Sequence, residues 1–140
     1  EQYKAFLAGL KKKFPGEPFL IVRYGDHQPE FSPQILDPKL DEAGIGRKLE
    51  NYDPRYYATY YAIDAVNFEP VKSPAVMETI DAAYLPLVIQ EAAGIPLDPS
   101  FEEQKNIMLR CNGVFYDCKA GAEARRLNGL LINAGMIKGL

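Results

Sequence analysis

The sequence predicts an α/β chain, on two observations. An amphipathic pattern over residues 2–13, a breaker cluster Phe14-Pro15-Gly16-Glu17-Pro18 and an apolar run over residues 19–24 follow in that order, the helix–turn–strand succession of an α/β sheet. An aromatic and β-branched stretch over residues 55–64 then reads as a second strand, and helical patterns follow it. The length of 140 residues fits one domain, 1–140, with a sizeable core. A formal net charge of −3 does not suggest a nucleic-acid partner. There is no apolar run long enough to span a bilayer and no recognisable signal peptide. The chain opens on Glu1-Gln2-Tyr3, directly in a helical pattern, which suggests a processed product or a piece of a longer protein.

In the first helix, Tyr3, Phe6, Leu7 and Leu10 recur at helical spacing and form one apolar face. Lys11-Lys12-Lys13 falls in its last turn, where cations suit the helix dipole. Arg23 interrupts the apolar strand that follows. Two readings are open: an edge strand with an ion-paired Arg23, or an Arg23 that points into a polar cleft. Residues 28–54 are rich in Pro, Asp, Gly and Lys, and read as a long loop with a short helix near 46–51. The tyrosines of residues 55–64 read as strand packing rather than a stacking platform, because no basic groove accompanies them.

Residues 65–74 read as a loop. A helix over 76–92 has Val76, Ile80, Ala83, Tyr84, Leu87, Val88 and Ala92 on one side, and Pro86 must kink it or start a new segment. Gly94 suits its C-cap and Pro96 stops it. A further helix is expected over 100–110 with Ser100 as N-cap, then a short apolar piece Val114-Phe115-Tyr116, and a last helix over 120–134. Cys111 and Cys118 are the only cysteines, and their spacing is not a usual zinc or redox motif. A short-loop disulfide and two free buried thiols both fit.

The residues with most chemistry are Gly25-Asp26-His27. His27 is the only histidine. A carboxylate and an imidazole side by side at a strand end form half of a divalent-metal site. Asp37, Asp41, Glu42 and Asp53 are the plausible further donors in the loop for a separate small metal centre, although their spacing matches no common motif.

Phe19-Leu20-Ile21-Val22-Arg23-Tyr24-Gly25-Asp26-His27-Gln28-Pro29 resembles the late metal-binding strand of the sulfatase-like branch of the alkaline phosphatase superfamily. Residues 57–63 resemble the strand that follows it in that family. Residues 80–96, from Ile80-Asp81 through Pro86 to Gly94-Ile95-Pro96, resemble its D-x-x-P-T…G-I-P helix, with Leu87 where Thr is common. The three matches stand in family order and cover about residues 1–100. The Gly-Asp-His-x-Pro form is most similar to the lipoteichoic-acid-synthase type, which are phosphoglycerol transferases of the cell envelope.

The resemblance implies the C-terminal portion of an alkaline-phosphatase-like fold: a small mixed sheet flanked by helices, with a helical C-terminal tail. It implies Asp26 and His27 as ligands of a divalent ion (Mn, Zn, Mg or Ca) and a phosphate or sulfate ester as substrate. It also implies a parent enzyme, membrane-anchored and facing the periplasm or exterior. The family's nucleophile, its first acidic ligands and a substrate-contacting histidine precede this strand. Neither Thr59 nor Thr79, the only threonines, has a nucleophile-like context, and Cys111 and Cys118 lack a formylglycine-type pattern. The expected partner is therefore the N-terminal part of the parent enzyme, and the isolated piece would pair with a second copy through the surface left bare. Two further readings are a non-catalytic interaction module and a separate small metalloenzyme.

Overall fold

A computed structural model describes residues 1–71, 77, 79–115, 118–119 and 121–138. The chain is α/β, as expected. In order it forms α1 (Gln2–Lys13), β1 (Phe19–Tyr24), α2 (Ser32–Leu36), α3 (Glu42–Glu50), β2 (Tyr61–Val66), α4 (Leu85–Ala92), α5 (Pro99–Arg110) and α6 (Ala122–Asn133). The expected mixed sheet is, among the described residues, a two-stranded antiparallel sheet of β1 and β2. No helix among them is long and apolar enough to cross a membrane.

The chain divides into two compact units, residues 1–20 with 65–140, and residues 21–64. The core of the first unit gathers Tyr84, Leu87, Ile107, Met108, Cys111 and Leu127, with Ile80, Val88, Phe101, Phe115 and Leu130 packed against it. Each such aliphatic side chain removed from water contributes about 1.5–3 kcal/mol. Here α5 packs on α4 and on α6, and Cys111 is joined to Cys118 by a disulfide, so the free-thiol alternative falls away. In α1, by contrast, none of the residues is buried and Phe6 is half exposed.

Several boundaries differ from expectation, for identifiable reasons. Residues 28–54 are more ordered than a loop. Pro33 sits in the first turn of α2, and the Asp41 carboxylate accepts the Gly44 N–H at 2.8 Å and caps α3. The strand expected from residue 55 begins only at Tyr61. Asp53 accepts the Arg55 N–H, and Pro54 turns residues 54–56 into a 3₁₀ segment before the chain can extend. The helix expected from residue 76 starts at Leu85, after a 3₁₀ turn over Ala82–Tyr84, with Pro86 in its first turn; Val76 lies outside the described residues. The N-cap of α5 is Asp98, not Ser100: its carboxylate accepts the N–H groups of Ser100 (2.7 Å) and Phe101 (3.0 Å), with Pro99 as first helical residue. Tyr116 and Ala120 also lie outside the described residues.

Among the described residues, four helices end with the same paired closure, in which a left-handed residue turns the chain back on the last carbonyls. After α4 that residue is Gly94 (φ 69°), where the Gly94 N–H reaches Glu91 O and the Ile95 N–H reaches Gln90 O. Gly135 does this after α6, Asn112 after α5 and Tyr52 after α3.

Candidate functional site

The site lies in the unit of residues 21–64, where β1 ends. The Gly25 N–H donates to Tyr60 O at 3.0 Å, one residue beyond each strand. The Thr59 hydroxyl donates to Gly25 O at 2.6 Å. A side chain at Gly25 would bring its Cβ to 3.1 Å from Thr59 Cβ, so the close approach favours glycine here. Arg23 takes the ion-paired reading: Nη2 lies 3.1 Å from Asp64 Oδ2 on β2, and both residues are partly exposed.

Asp26 and His27 follow, and both side chains stand in solvent (81% and 76% exposed). The His27 N–H donates to Asp26 Oδ1 at 3.0 Å, which folds the carboxylate back over the chain. His27 Nδ1 lies 2.9 Å from Gln28 O. A carbonyl oxygen can only accept, so Nδ1 carries a proton, and in the neutral tautomer this leaves Nε2 bare. Nε2 lies 3.6 Å from Asp26 Oδ2. With Nε2 unprotonated, a cation between it and Oδ2 would join two lone pairs; with Nε2 protonated, the same two groups form an ion pair. With ligand bonds of roughly 2.0–2.2 Å, two neighbouring tetrahedral ligands stand about 3.3–3.6 Å apart, a range that includes the separation seen. The pair could supply two ligands to one divalent ion.

The other carboxylates do not join it. Asp37 Oδ2 accepts from the Tyr56 hydroxyl and from Arg55 Nη2, both at 2.8 Å, and these two donors, the hydroxyl foremost, hold Asp37 below the usual carboxylate range. Asp53 is bound by Arg55 at 2.8 Å and Lys48 at 3.2 Å, and its pKa is likewise lowered, chiefly by the Arg55 hydrogen bond. Asp41 caps α3, and Glu42 lies in that helix's first turn. Among the described residues no three His, Cys, Asp or Glu side chains come together as a metal-binding group. A separate small metal centre built from Asp37, Asp41, Glu42 and Asp53 thus has no support. An open cleft of about 540 Å³ beside α3, lined by Leu40, Arg47, Lys48, Tyr52, Asp53 and Pro54 among others, includes neither Asp26 nor His27.

Sequence reasoning missed the supports of the pair. Gln28 Nε2 donates to Ala58 O, and Gln28 Oε1 accepts from the buried Ser32 hydroxyl at 3.2 Å. Thr59, weighed only as a nucleophile, instead ties down the Gly25 carbonyl. Compared with known protein families, curated proteins and solved structures, the chain matches none.

Proposed function

We propose that the chain is the C-terminal portion of a sulfatase-like, metal-dependent enzyme of the alkaline phosphatase superfamily. The nearest type is the lipoteichoic-acid synthase or phosphoglycerol transferase, acting on phosphate or sulfate esters of the cell envelope. The observation that carries this reading is the exposed Asp26–His27 pair, with His27 Nε2 and an Asp26 carboxylate oxygen 3.6 Å apart at the end of an apolar strand. Asp26 and His27 would hold a divalent ion (Mn, Zn, Mg or Ca), which when bound polarises an ester oxygen and offsets charge on the transferred group. Asp26 contributes negative charge, and His27 a neutral nitrogen fixed in direction by Gln28 O. The nucleophile and remaining ligands would come from the N-terminal part of the parent enzyme, so this piece alone binds metal weakly and does not catalyse. A disulfide between Cys111 and Cys118 suits an oxidising compartment such as the periplasm or cell surface.

Calorimetric titration of the 140-residue chain with Mn²⁺ and Zn²⁺ tests the reading. Weak saturable binding is expected, and its loss in the Asp26→Ala/His27→Ala double variant. Equal heats for the two proteins would remove the metal site and favour an interaction module instead.

A further inference from the structure

Gln28 touches the Asp26–His27 pair in a way that its neighbours do not. Its main-chain oxygen selects the proton position on His27, and its side chain fixes where that oxygen sits. Nε2 of the amide is anchored on Ala58 O and Oε1 on the Ser32 hydroxyl, at the buried start of α2. Thr59 acts one residue further along the same strand-end segment. Its hydroxyl holds the carbonyl of Gly25, the residue immediately before Asp26, at 2.6 Å. The chain carrying the two exposed side chains is thus clamped on both sides, by Thr59 before Asp26 and by Gln28 after His27. Both clamps reach the 58–59 segment, about 30 positions away in sequence. Exposed side chains such as these lose much rotamer freedom on chelating an ion, and a fixed backbone lowers that cost.

We propose that Gln28 and Thr59 are positioning residues for a metal-binding Asp26–His27 pair, Gln28 by fixing the His27 tautomer with Nε2 bare and Thr59 by fixing the backbone ahead of Asp26. This rests on the metal-binding reading above, and goes beyond it by assigning roles to two residues that touch no ion. Groups hydrogen-bonded directly to metal ligands typically set metal affinity by 10- to 100-fold; the Gln28 and Thr59 side chains act one bond further out, through the backbone they hold, so the lower end of that range is expected.

The test uses two readouts on the full chain. His27 is the only histidine, so its ring nitrogens give unambiguous ¹⁵N NMR signals in the metal-free protein at alkaline pH. Zn²⁺ affinity is measured by calorimetry on the same samples. The parent chain is expected to show the Nδ1–H tautomer. Gln28→Met and Thr59→Val should weaken Zn²⁺ binding by about tenfold or more, and Gln28→Met should also shift the ring toward the Nε2–H form. Thr59→Ser, which keeps the hydroxyl, should retain parent affinity, a rescue that a merely structural role of the threonine methyl would not give. If Gln28→Met fails to fold, Gln28→Glu replaces it, since it loses the donor to Ala58 O while keeping the acceptor for Ser32. An Nε2–H tautomer in the parent chain, or variants with unchanged tautomer and affinity, would overturn the proposal. Absence of Zn²⁺ binding in the parent chain with the Nδ1–H tautomer present and Gln28-dependent would instead overturn the metal-binding reading and leave the positioning of His27 standing.

Discussion

At the scale of single residues, Tyr84 shows what the core tolerates. It is fully buried, its ring meets Phe115 edge-on at 5.5 Å, and its hydroxyl finds no hydrogen-bond partner among the described residues. Burial first, then the nearby Asp81 and Glu123 carboxylates, push its pKa up to about 12. A buried hydroxyl left unbonded costs about 1–3 kcal/mol, whereas the ring contributes fully to packing. Tyr84→Phe should therefore leave stability unchanged or raise it by about 1 kcal/mol in urea unfolding. A loss of more than about 1 kcal/mol would mean that the hydroxyl is bonded after all. The same scale separates what the sequence could disclose from what it could not. The closeness of the Asp26 and His27 side chains was legible because residues adjacent in sequence are adjacent in space. Gln28 and Thr59 were not, because their partners lie 30 and 34 positions away and an amide or hydroxyl advertises no such reach. The Tyr52 turn was hidden for another reason: tyrosine seldom adopts φ 51°, so nothing marked the end of α3.

Between elements, α5 and α6 are tied by charge as well as by apolar contact. Glu103 accepts from Arg110 at 3.1 Å and from Arg126 at 2.7 Å, while Glu123 accepts from Arg110 at 3.0 Å and Lys119 at 3.3 Å. Arg110 is the main cause that lowers the pKa of both glutamates below their ordinary value of 4.5. A carboxyl with a lowered folded-state pKa adds stability above its unfolded value and loses it as pH falls through the folded one. The melting temperature should hold from pH 7 to about 5 and then fall as acid protonates these two groups. A Glu103→Gln/Glu123→Gln variant should start lower at pH 7 and lose less between pH 5 and 3. Parallel curves for the two proteins would show that the network does not govern the acid limb. Such partly exposed pairs are individually weak, so the effect rests on the shared Arg110. The elements themselves were readable where pattern and punctuation agreed, as in α1, β1 and the Gly94 end of α4. They slipped where Asp and Pro acted together: Asp53-Pro54 and Asp98-Pro99 each start a helical turn, and a residue-by-residue propensity reading of 55–64 as strand overlooks that local start.

For the molecule as a whole, the buried apolar side chains are unevenly shared. Among the described residues the unit of residues 21–64 buries one large apolar side chain, Tyr56, and none completely, whereas the other unit holds the fully buried Leu87, Ile107 and Met108. Local opening should be cheapest where few apolar contacts must break. In native-state hydrogen exchange, amides of α4, α5 and α6 should therefore be the slowest, and those of α1 and α2 should exchange through low-energy openings. The disulfide sharpens this expectation, because Cys111 ends α5 inside the cluster and Cys118 packs against it. Closing a loop of eight residues, Cys111 to Cys118, restricts the unfolded chain by about 2.5 kcal/mol in the chain-entropy treatment. Reduction should lower the protection of the slowest α5 and α6 amides by about that amount, while leaving the fast amides of α1 and α2 where they were. Equal losses in every element would mean that the chain opens as one cooperative body. Unchanged protection after reduction would mean that packing alone holds the helical cluster and that the disulfide adds nothing to it.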